Sequence, residues 1–326
     1  MSKILSITIP SYNVEKTLET TLNSLICPEI IDDIEIIIVN DGSKDNTLEI
    51  ANKYQTQYKN SIVVIDKENG GHGSTINAGL KIATGKYFKV IDGDDWVDSN
   101  AFVLFIDELK KFNADLIFNP YTKVYTDSNT NETVDVKISY RNTILNIKDV
   151  INQIGDYYQM HSLTFKTNSI KNKFIIDEHC FYVDQEYILY SLPFISTIAF
   201  LDENVYQYRL GNIGQSVSIK SLQKNRNMHK QVVLHLAEMY ERDNNLYSEG
   251  TKLFLQDRIS KLIYTQLNIY LSMSNACSEA VSFWNELRKL GNSIFSGLNT
   301  KTAYLMKLNP SLGYKIISLK FKMESN

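Results

Sequence analysis

The chain has 326 residues, room for one large domain and an appendage, and a formal net charge of −3, so nothing recommends nucleic acid as a partner. No apolar run approaches a membrane span; the most apolar stretch, Leu192 to Leu201, is broken by Pro193, Ser196 and Thr197. Cys27, Cys180 and Cys277 are odd in number and widely spaced, and Met1-Ser2-Lys3-Ile4 leads straight into a strand with no secretory apolar region, which together predict a reducing cytoplasm.

Taken in chain order, Leu5 to Ile9 reads as a strand ending in the turn Pro10-Ser11-Tyr12-Asn13. A helical face follows with Leu18, Leu22, Leu25 and Ile26. A second strand, Ile34 to Val39, ends in Asn40-Asp41-Gly42-Ser43, and Leu48, Ala51 and Tyr54 begin the next helix. The strand Ile62 to Ile65 precedes a glycine-rich loop (Gly70, Gly71, Gly73) and a helix holding Ile76, Leu80 and Ala83. The strand Tyr87 to Ile91 then enters Asp92-Gly93-Asp94-Asp95, followed by Trp96. Such alternation predicts βαβ units on a parallel sheet, where ligands bind beyond the carboxyl ends of the strands. Further on, Ala114 to Phe118 reads as a strand, Thr126 to Thr133 as a hairpin loop, and Leu222 to Asn245, Thr251 to Ser272 and Ser278 to Leu290 as three helices.

The tetrad Asp92-Gly93-Asp94-Asp95 carries the sharpest chemical signal. Carboxylates crowded at a strand end repel one another unless a cation sits between them. A hard divalent ion, Mn²⁺ or Mg²⁺, takes oxygen ligands and shares them with a substrate phosphate. A lone acidic turn is usually only a turn, but here the turns around Tyr12, Asp41 and Asp92 all sit at strand ends and should converge on one crevice. The glycine loop does not suit a nicotinamide cofactor, because Ile76 stands where a dinucleotide fingerprint needs Gly or Ala after Gly71-x-Gly73.

Pro10 to Asn13, Val39 to Ser43, Asn69 to Gly79 and Asp92 to Asp95 come in an order and spacing that resembles the N-terminal half of a family 2 glycosyltransferase. Phe181-Tyr182-Val183-Asp184-Gln185-Glu186-Tyr187 is similar to that family's acceptor-side motif, an acidic pair before an aromatic. Tyr206-Gln207-Tyr208-Arg209 with Gln215 to Ser218 resembles the close of its catalytic domain. The resemblance implies a GT-A fold, a Rossmann-like mixed α/β sheet of the nucleotide-diphospho-sugar transferase type. It would span residues 1–220, with a nucleotide-sugar half over 1–100 and an acceptor half over 101–220, followed by a helical region over 221–326. The activity implied is inverting transfer of a hexosyl or N-acetylhexosaminyl group from a UDP-sugar to a hydroxyl of a glycan or lipid-linked cell-envelope acceptor.

On this resemblance Asp41 grips the uracil or ribose, with Pro10 and Tyr12 walling the base, and Asn13, Asn69, Gly71, Asn77, Asp92 and Gly93 complete the donor site. Asp94 reaches the metal, while Asp95, Trp96 and Glu186 are candidates for sugar or acceptor contacts, Asp95 alternatively orienting its loop. Asp184 is the candidate general base. The position before it is Val183 rather than an acid, which leaves Glu186 as the alternative proton acceptor, although Asp184 keeps its spacing before Tyr187. An Arg frequent in the family before Asn77 is replaced by Ile76, so a donor contact is sought from His72 or Arg209; the ordinary role for His72 is to cap its own loop.

Residues 301–326 hold five lysines (Lys301, Lys307, Lys315, Lys320, Lys322) and one acid, Glu324. Asn309-Pro310 suits a helix start, after which Leu312, Ile316, Leu319 and Met323 share one face. Two readings stand for residues 310–323: peripheral contact with the inner face of an anionic membrane, or docking of the apolar face on the helical region or on a second subunit of a homo-oligomer. Two rival functions also stand, a sugar-nucleotide-forming nucleotidyltransferase and a non-catalytic nucleotide or sugar binder. The first lacks its glycine- and base-rich phosphate loop after the opening strand; the second would have little use for Asp184.

Overall fold

The computed structural model describes residues 2–211 and 218–324, and the chain divides into two compact units, Met1–Ile213 and Gly214–Asn326. The motif residues 215–217 lie outside the described residues. The first unit begins with β1 (Leu5–Ser11), α1 (Leu18–Leu25), β2 (Ile34–Asp41), α2 (Thr47–Gln57), β3 (Ile62–Lys67), α3 (His72–Ile82) and β4 (Tyr87–Val90). These four strands are parallel, in the order β3-β2-β1-β4. Ile36, Ile37, Ile38 and Val39 are all buried, as a strand covered on both faces requires. Exposed and half-exposed residues interrupt β3, which lies at the sheet edge.

The second half departs from this alternation. β5 (Trp96–Val97), α4 (Ser99–Lys111), β6 (Leu116–Phe118), β7 (Tyr121–Tyr125), β8 (Thr130–Val134), β9 (Ile144–Asn146) and α5 (Ile147–Ile154) follow. Next come β10 (Leu163–Lys166), α6 (Thr167–Ile170), α7 (Asp184–Tyr190), β11 (Thr197–Phe200) and β12 (Tyr206–Leu210). β10 inserts antiparallel between β4 and β6, and β11 and β9 complete an eight-stranded mixed sheet. Nothing in the periodicity marks Leu163–Lys166, which is too short to show an alternation. The expected hairpin exists as β7 paired with β8, with Asn129 in the left-handed region at φ 53°, but its loop is shorter than expected because Thr130 to Thr133 belong to β8.

A smaller sheet, β5-β12-β7-β8, matters more for the site. β12 runs parallel to β7 and antiparallel to β5, the two-residue strand directly after the acidic tetrad. This pairing carries the Tyr-x-Tyr-Arg segment back to the end of β4. The fold is thus a GT-A-like mixed α/β sheet, followed by a helical C-terminal region.

That region comprises α8 (Ile219–Lys224), α9 (Arg226–Asp243), α10 (Glu249–Leu271), α11 (Cys277–Leu290), α12 (Asn292–Gly297), α13 (Lys301–Leu308) and α14 (Pro310–Glu324). Val233, Leu236, Ile259, Ile263, Phe283 and Trp284 form its buried interior. Arg226 pairs with Glu279 and Lys230 with Glu286, so α9 is tied to α11 by two ion pairs on the surface. None of the helices among the described residues is long and apolar enough to cross a membrane.

Asp115 joins β6 to the start of β11. Its carboxylate accepts from the Ser196 and Thr197 amides and the Thr197 hydroxyl, each at 3.0 Å, and from the Ser169 hydroxyl at 2.9 Å. Burial pushes its pKa up, but these hydrogen bonds outweigh burial and hold it below the usual carboxylate range. A depressed carboxylate stabilises the fold above its unfolded pKa, about 3.9, and loses that contribution as pH falls through the lower folded value. Asp115→Ala should therefore cost about 1–3 kcal/mol at neutral pH. In urea titrations the gap to the wild type should narrow on acidification below about pH 4.

Candidate active site

Because β1 pairs with β2 on one side and β4 on the other, the turns after these three strands emerge next to one another. Asn13, at φ 53°, stitches the first two turns. Its amide donates to Ser43 Oγ at 3.0 Å and its side-chain oxygen accepts from the Lys44 amide at 2.8 Å. The Gly93 amide donates to the Pro10 carbonyl at 3.2 Å, joining the first turn to the acidic one. Tyr12 is 52% exposed beside this junction, whereas Pro10 is buried in β1.

Asp41 is 2% exposed. Its Oδ1 accepts from Lys67 Nζ at 2.8 Å and the Gly70 amide at 2.9 Å, and its Oδ2 from the Gly71 amide at 2.8 Å. Asn69 Nδ2 donates to the Asp41 carbonyl at 2.9 Å. Asp41 and Asn69 thus shape the glycine loop through bonds within the protein. Gly71 sits at φ 82°, which a residue without Cβ adopts freely, and this turns the chain into α3.

The first residue of α3 supplies the surprise. The His72 ring does not cap its own loop: Nε2 lies 2.9 Å from Asp92 Oδ1. Burial lowers the His72 pKa, but the Asp92 charge outweighs it and leaves the imidazole above its ordinary value, with Asp184 and Asp94 adding to the effect. Burial likewise raises the Asp92 carboxyl, and the His72 charge outweighs that and holds it low. Each of the two thus favours the charged form of the other.

Asp95 faces inward and is 1% exposed. Tyr206 Oη donates to its Oδ2 at 2.6 Å and the Arg209 amide to its Oδ1 at 2.7 Å. The Asp95 carbonyl accepts from Thr21 Oγ1 at 2.6 Å. Burial, Asp92 and Asp94 push the Asp95 carboxyl well up. Asp94 keeps solvent access, yet desolvation by the protein around its carboxyl, and then the Asp92 charge, raise it too. Arg209 Nε donates to the Asp94 carbonyl at 2.8 Å while the guanidinium lies 4.5 Å from the centre of the Trp96 ring. Arg209 and Trp96 therefore brace the tetrad from the β12 side.

Sequence reasoning missed His161, just before β10. A ligand atom from each of Asp92, Asp95 and His161 lies within 4.8 Å of the others. The ring stacks on Tyr208 at 4.2 Å and meets Tyr206 edge-on at 4.8 Å, and its buried Nδ1 has no hydrogen-bond partner among the described residues. Burial drives its pKa down to about 4, so the imidazole is neutral and can act as a ligand. Lys89, buried in β4, holds this segment by donating to the His161 carbonyl at 2.9 Å and the Leu163 carbonyl at 3.2 Å. Burial lowers its pKa to about 7. A lysine inside an apolar strand was the one available clue.

Acids gathered at one strand end, with an orphaned neutral imidazole beside them, fit a hard divalent ion such as Mn²⁺ or Mg²⁺. Asp92, Asp95 and His161 bring ligand atoms within reach of one ion, although the Asp95 carboxylate is also engaged by Tyr206 Oη and the Arg209 amide; Asp94, in the same turn and exposed, is a further candidate ligand.

The acceptor-side segment is anchored to α3. Asn77 Nδ2 donates to the Ile176 carbonyl at 2.8 Å and its Oδ1 accepts from the Ile176 amide at 3.0 Å, so Asn77 brackets this segment. Gly73 approaches so closely that a Cβ there would stand 2.1 Å from the Asp177 carbonyl oxygen. Glu186 is 0% exposed and accepts from the Asp177 amide at 2.8 Å. Its carboxylate therefore fastens the segment. Asp184, by contrast, opens α7, is half-buried, and accepts from Gln185 Nε2 at 2.8 Å. His179 and Tyr182, just ahead of it, hold left-handed φ values of 53° and 68°, a mark of strain in a segment held by its surroundings.

A mixed sheet whose parallel strand ends gather an acidic turn, a glycine loop and a separate carboxylate defines a nucleotide-sugar transferase type of fold. Residues 6–175, just over half of the chain, match Glycosyl transferase family 2, and the chain belongs to that family. It is 30% identical to the uncharacterized glycosyltransferase EpsJ of Bacillus subtilis over 64% of this chain and 62% of that one. It is 29% identical to the glycosyltransferase GlyG of Streptococcus pneumoniae over 64% of this chain and 71% of that one. The poly(ribitol-phosphate) beta-glucosyltransferase of Bacillus spizizenii is 37% identical over 34% of this chain and 18% of its own. Less than two thirds of EpsJ is thus spanned. Among solved structures, S. aureus TarS 1-349 in complex with UDP-GlcNAc superposes with a TM-score of 0.64, at 18% identity, covering 98% of this chain and 92% of that one. A mannosyltransferase from Pyrobaculum calidifontis in complex with GDP-Man and Mn²⁺ gives 0.51 at 13% identity, covering 98% and 86%. Both likenesses concern the fold.

The internal bonding of Asp41 has a direct consequence. Asp41→Asn would set an amide NH₂ against donors that now point at a carboxylate, and should lower stability by about 1–3 kcal/mol without any nucleotide present. Chemical denaturation of the ligand-free protein checks this; an unchanged midpoint would mean that Asp41 acts only on a bound ligand.

Proposed function

We propose that the chain transfers a sugar from a UDP-linked donor to a hydroxyl of a cell-envelope glycan, with inversion at the anomeric carbon. The observation that carries this reading is the gathering of Asp92, Asp95 and His161 at the end of β4, with Asp94 and Asp184 both close enough for their charges to act on His72 and Tyr208. The UDP donor is supported by the TarS complex with UDP-GlcNAc, and an envelope polymer as acceptor by the poly(ribitol-phosphate) glucosyltransferase.

In this mechanism Tyr12 lies against the base and the loop shaped by Asp41 borders the diphosphate. Asp94, with Asp92 and His161 beside it, would hold a divalent ion, which would supply charge stabilisation for the departing UDP oxygen. Asp184 accepts the proton of the acceptor hydroxyl as that oxygen attacks the anomeric carbon. The bond from this carbon to the UDP oxygen breaks on the opposite face, and its electron pair leaves with UDP. Asp184 suits the base better than Glu186, because the Glu186 carboxylate is buried and engaged. His72 keeps Asp92 ionised and oriented. Family membership speaks against a nucleotidyltransferase. A non-catalytic binder would retain the donor turns but tolerate loss of Asp184.

Two measurements test the reading. In calorimetry, UDP should bind more tightly with Mn²⁺ than without, and Asp94→Ala should abolish that difference; metal-independent binding would remove the shared site. Asp184→Asn should keep the wild-type melting profile and UDP affinity yet lose roughly 10²–10⁴ in kcat with the UDP-sugar that the protein turns over. Full activity in that variant would take Asp184 out of the mechanism.

A further inference from the structure

The packing of α14 separates the two readings of the C-terminal helix. Its inward side is set by Gly313 and Tyr314, both buried. A Cβ at Gly313 would stand 2.6 Å from the Leu305 carbonyl oxygen, so α14 rests directly on the backbone of α13. Tyr314 Oη donates to the Tyr270 carbonyl of α10 at 2.8 Å. Ile317 and Ser318 are half-buried on the same side. The helix is therefore docked by the face opposite the one that the apolar periodicity marks out.

That periodic face points to solvent. Leu312 is 57% exposed, Ile316 44% and Leu319 66%. On α13, one turn apart, Tyr304 is 65% and Leu308 68% exposed. Single exposed apolar residues are ordinary, but successive turns of two adjoining helices presenting them mark a surface with a use. Lys315 and Lys320, both exposed, flank the apolar line of α14 on either side, and Lys301 is exposed in the first turn of α13.

We propose that the α13–α14 surface is a docking site for an anionic lipid bilayer. Leu312, Ile316 and Leu319 would enter the headgroup–acyl boundary while the lysine stems lie along it and carry their ammonium groups to the phosphates. The charge pattern favours lipid over a second copy of the chain. A two-fold contact through this face would bring lysines against their own counterparts, whereas an anionic surface neutralises them. The inference stands on the helical unit alone and is independent of the sugar-transfer reading.

The experiment is flotation of the full chain with vesicles of phosphatidylcholine alone and of phosphatidylcholine mixed with phosphatidylglycerol. The protein should float with the mixed vesicles, less at raised salt, and remain below with phosphatidylcholine alone. Leu312→Ser combined with Ile316→Ser and Leu319→Ser should cut partitioning roughly tenfold or more. Lys315→Glu and Lys320→Glu should each cut it about fivefold or more. Circular dichroism melts of the same variants confirm that they fold, and their UDP binding should equal the wild type. Absence of flotation, or equal flotation of wild type and the triple-serine variant, overturns the proposal. So does a vesicle-independent dimer, seen by light scattering, that the triple-serine variant dissolves, since the face would then belong to a second copy.

Discussion

The Asp95 carboxylate is the joint on which the candidate site depends. It lies at the end of β4 and receives Tyr206 Oη and the Arg209 amide from β12, a strand more than a hundred residues later in the chain. Those bonds compensate an acid that burial and its neighbours make difficult to ionise. They also fix the direction of the turn, so that Asp94 faces solvent and Asp92 meets His72. Without β12 the tetrad would be four residues of flexible acidic loop. With it, the turn becomes a rigid ledge, braced from beneath by Thr21 and from the side by the Arg209–Trp96 stack. Preorganised charge of this kind is what transfer chemistry needs, because little then has to rearrange as charge moves onto the leaving oxygen.

A second constraint is the helix that the acidic ledge shares with the acceptor side. α3 begins at a left-handed glycine, sends His72 to Asp92, and uses Gly73 and Asn77 to hold the 176–177 segment. One short helix thus sets the place of both the acids at the end of β4 and the segment that leads to Asp184. The division of labour among carboxylates follows from this scaffold. Asp41, Asp95 and Glu186 are buried and spent on backbone amides, while Asp92, Asp94 and Asp184 keep a side open. Residue type alone does not distinguish the two groups; burial and partners do.

The first four strands and their helices were legible because long apolar runs such as Ile34–Val39 admit few alternatives, and because glycine and aspartate at each strand end announce a turn. The hairpin β7–β8 and the three long helices of the second unit were equally plain. β10 was not. Its four residues reverse the sheet direction through pairing with β4 and β6, and pairing partners remote in sequence leave no local pattern. His161 is nearly as hard to see for the same reason, and the letters leave His72 between a donor contact and a loop cap, because its partner, Asp92, lies on a different strand end.

The C-terminal helix shows the same divide. Its apolar spacing and lysine content were evident from the letters, but which side faces the protein was not. Close approach of Gly313 to Leu305 and burial of Tyr314 turned the helix so that its apolar line faces outward. Chemistry available to the chain, namely the acids, the glycine loop and the family to which they belong, is local and is written in short contiguous motifs. Selection among those acids, the recruitment of His161 and the exposure of one helix face instead of the other are matters of long-range contact. Long-range contacts depend on sheet register and helix docking, energies summed over many residues that no single motif contains.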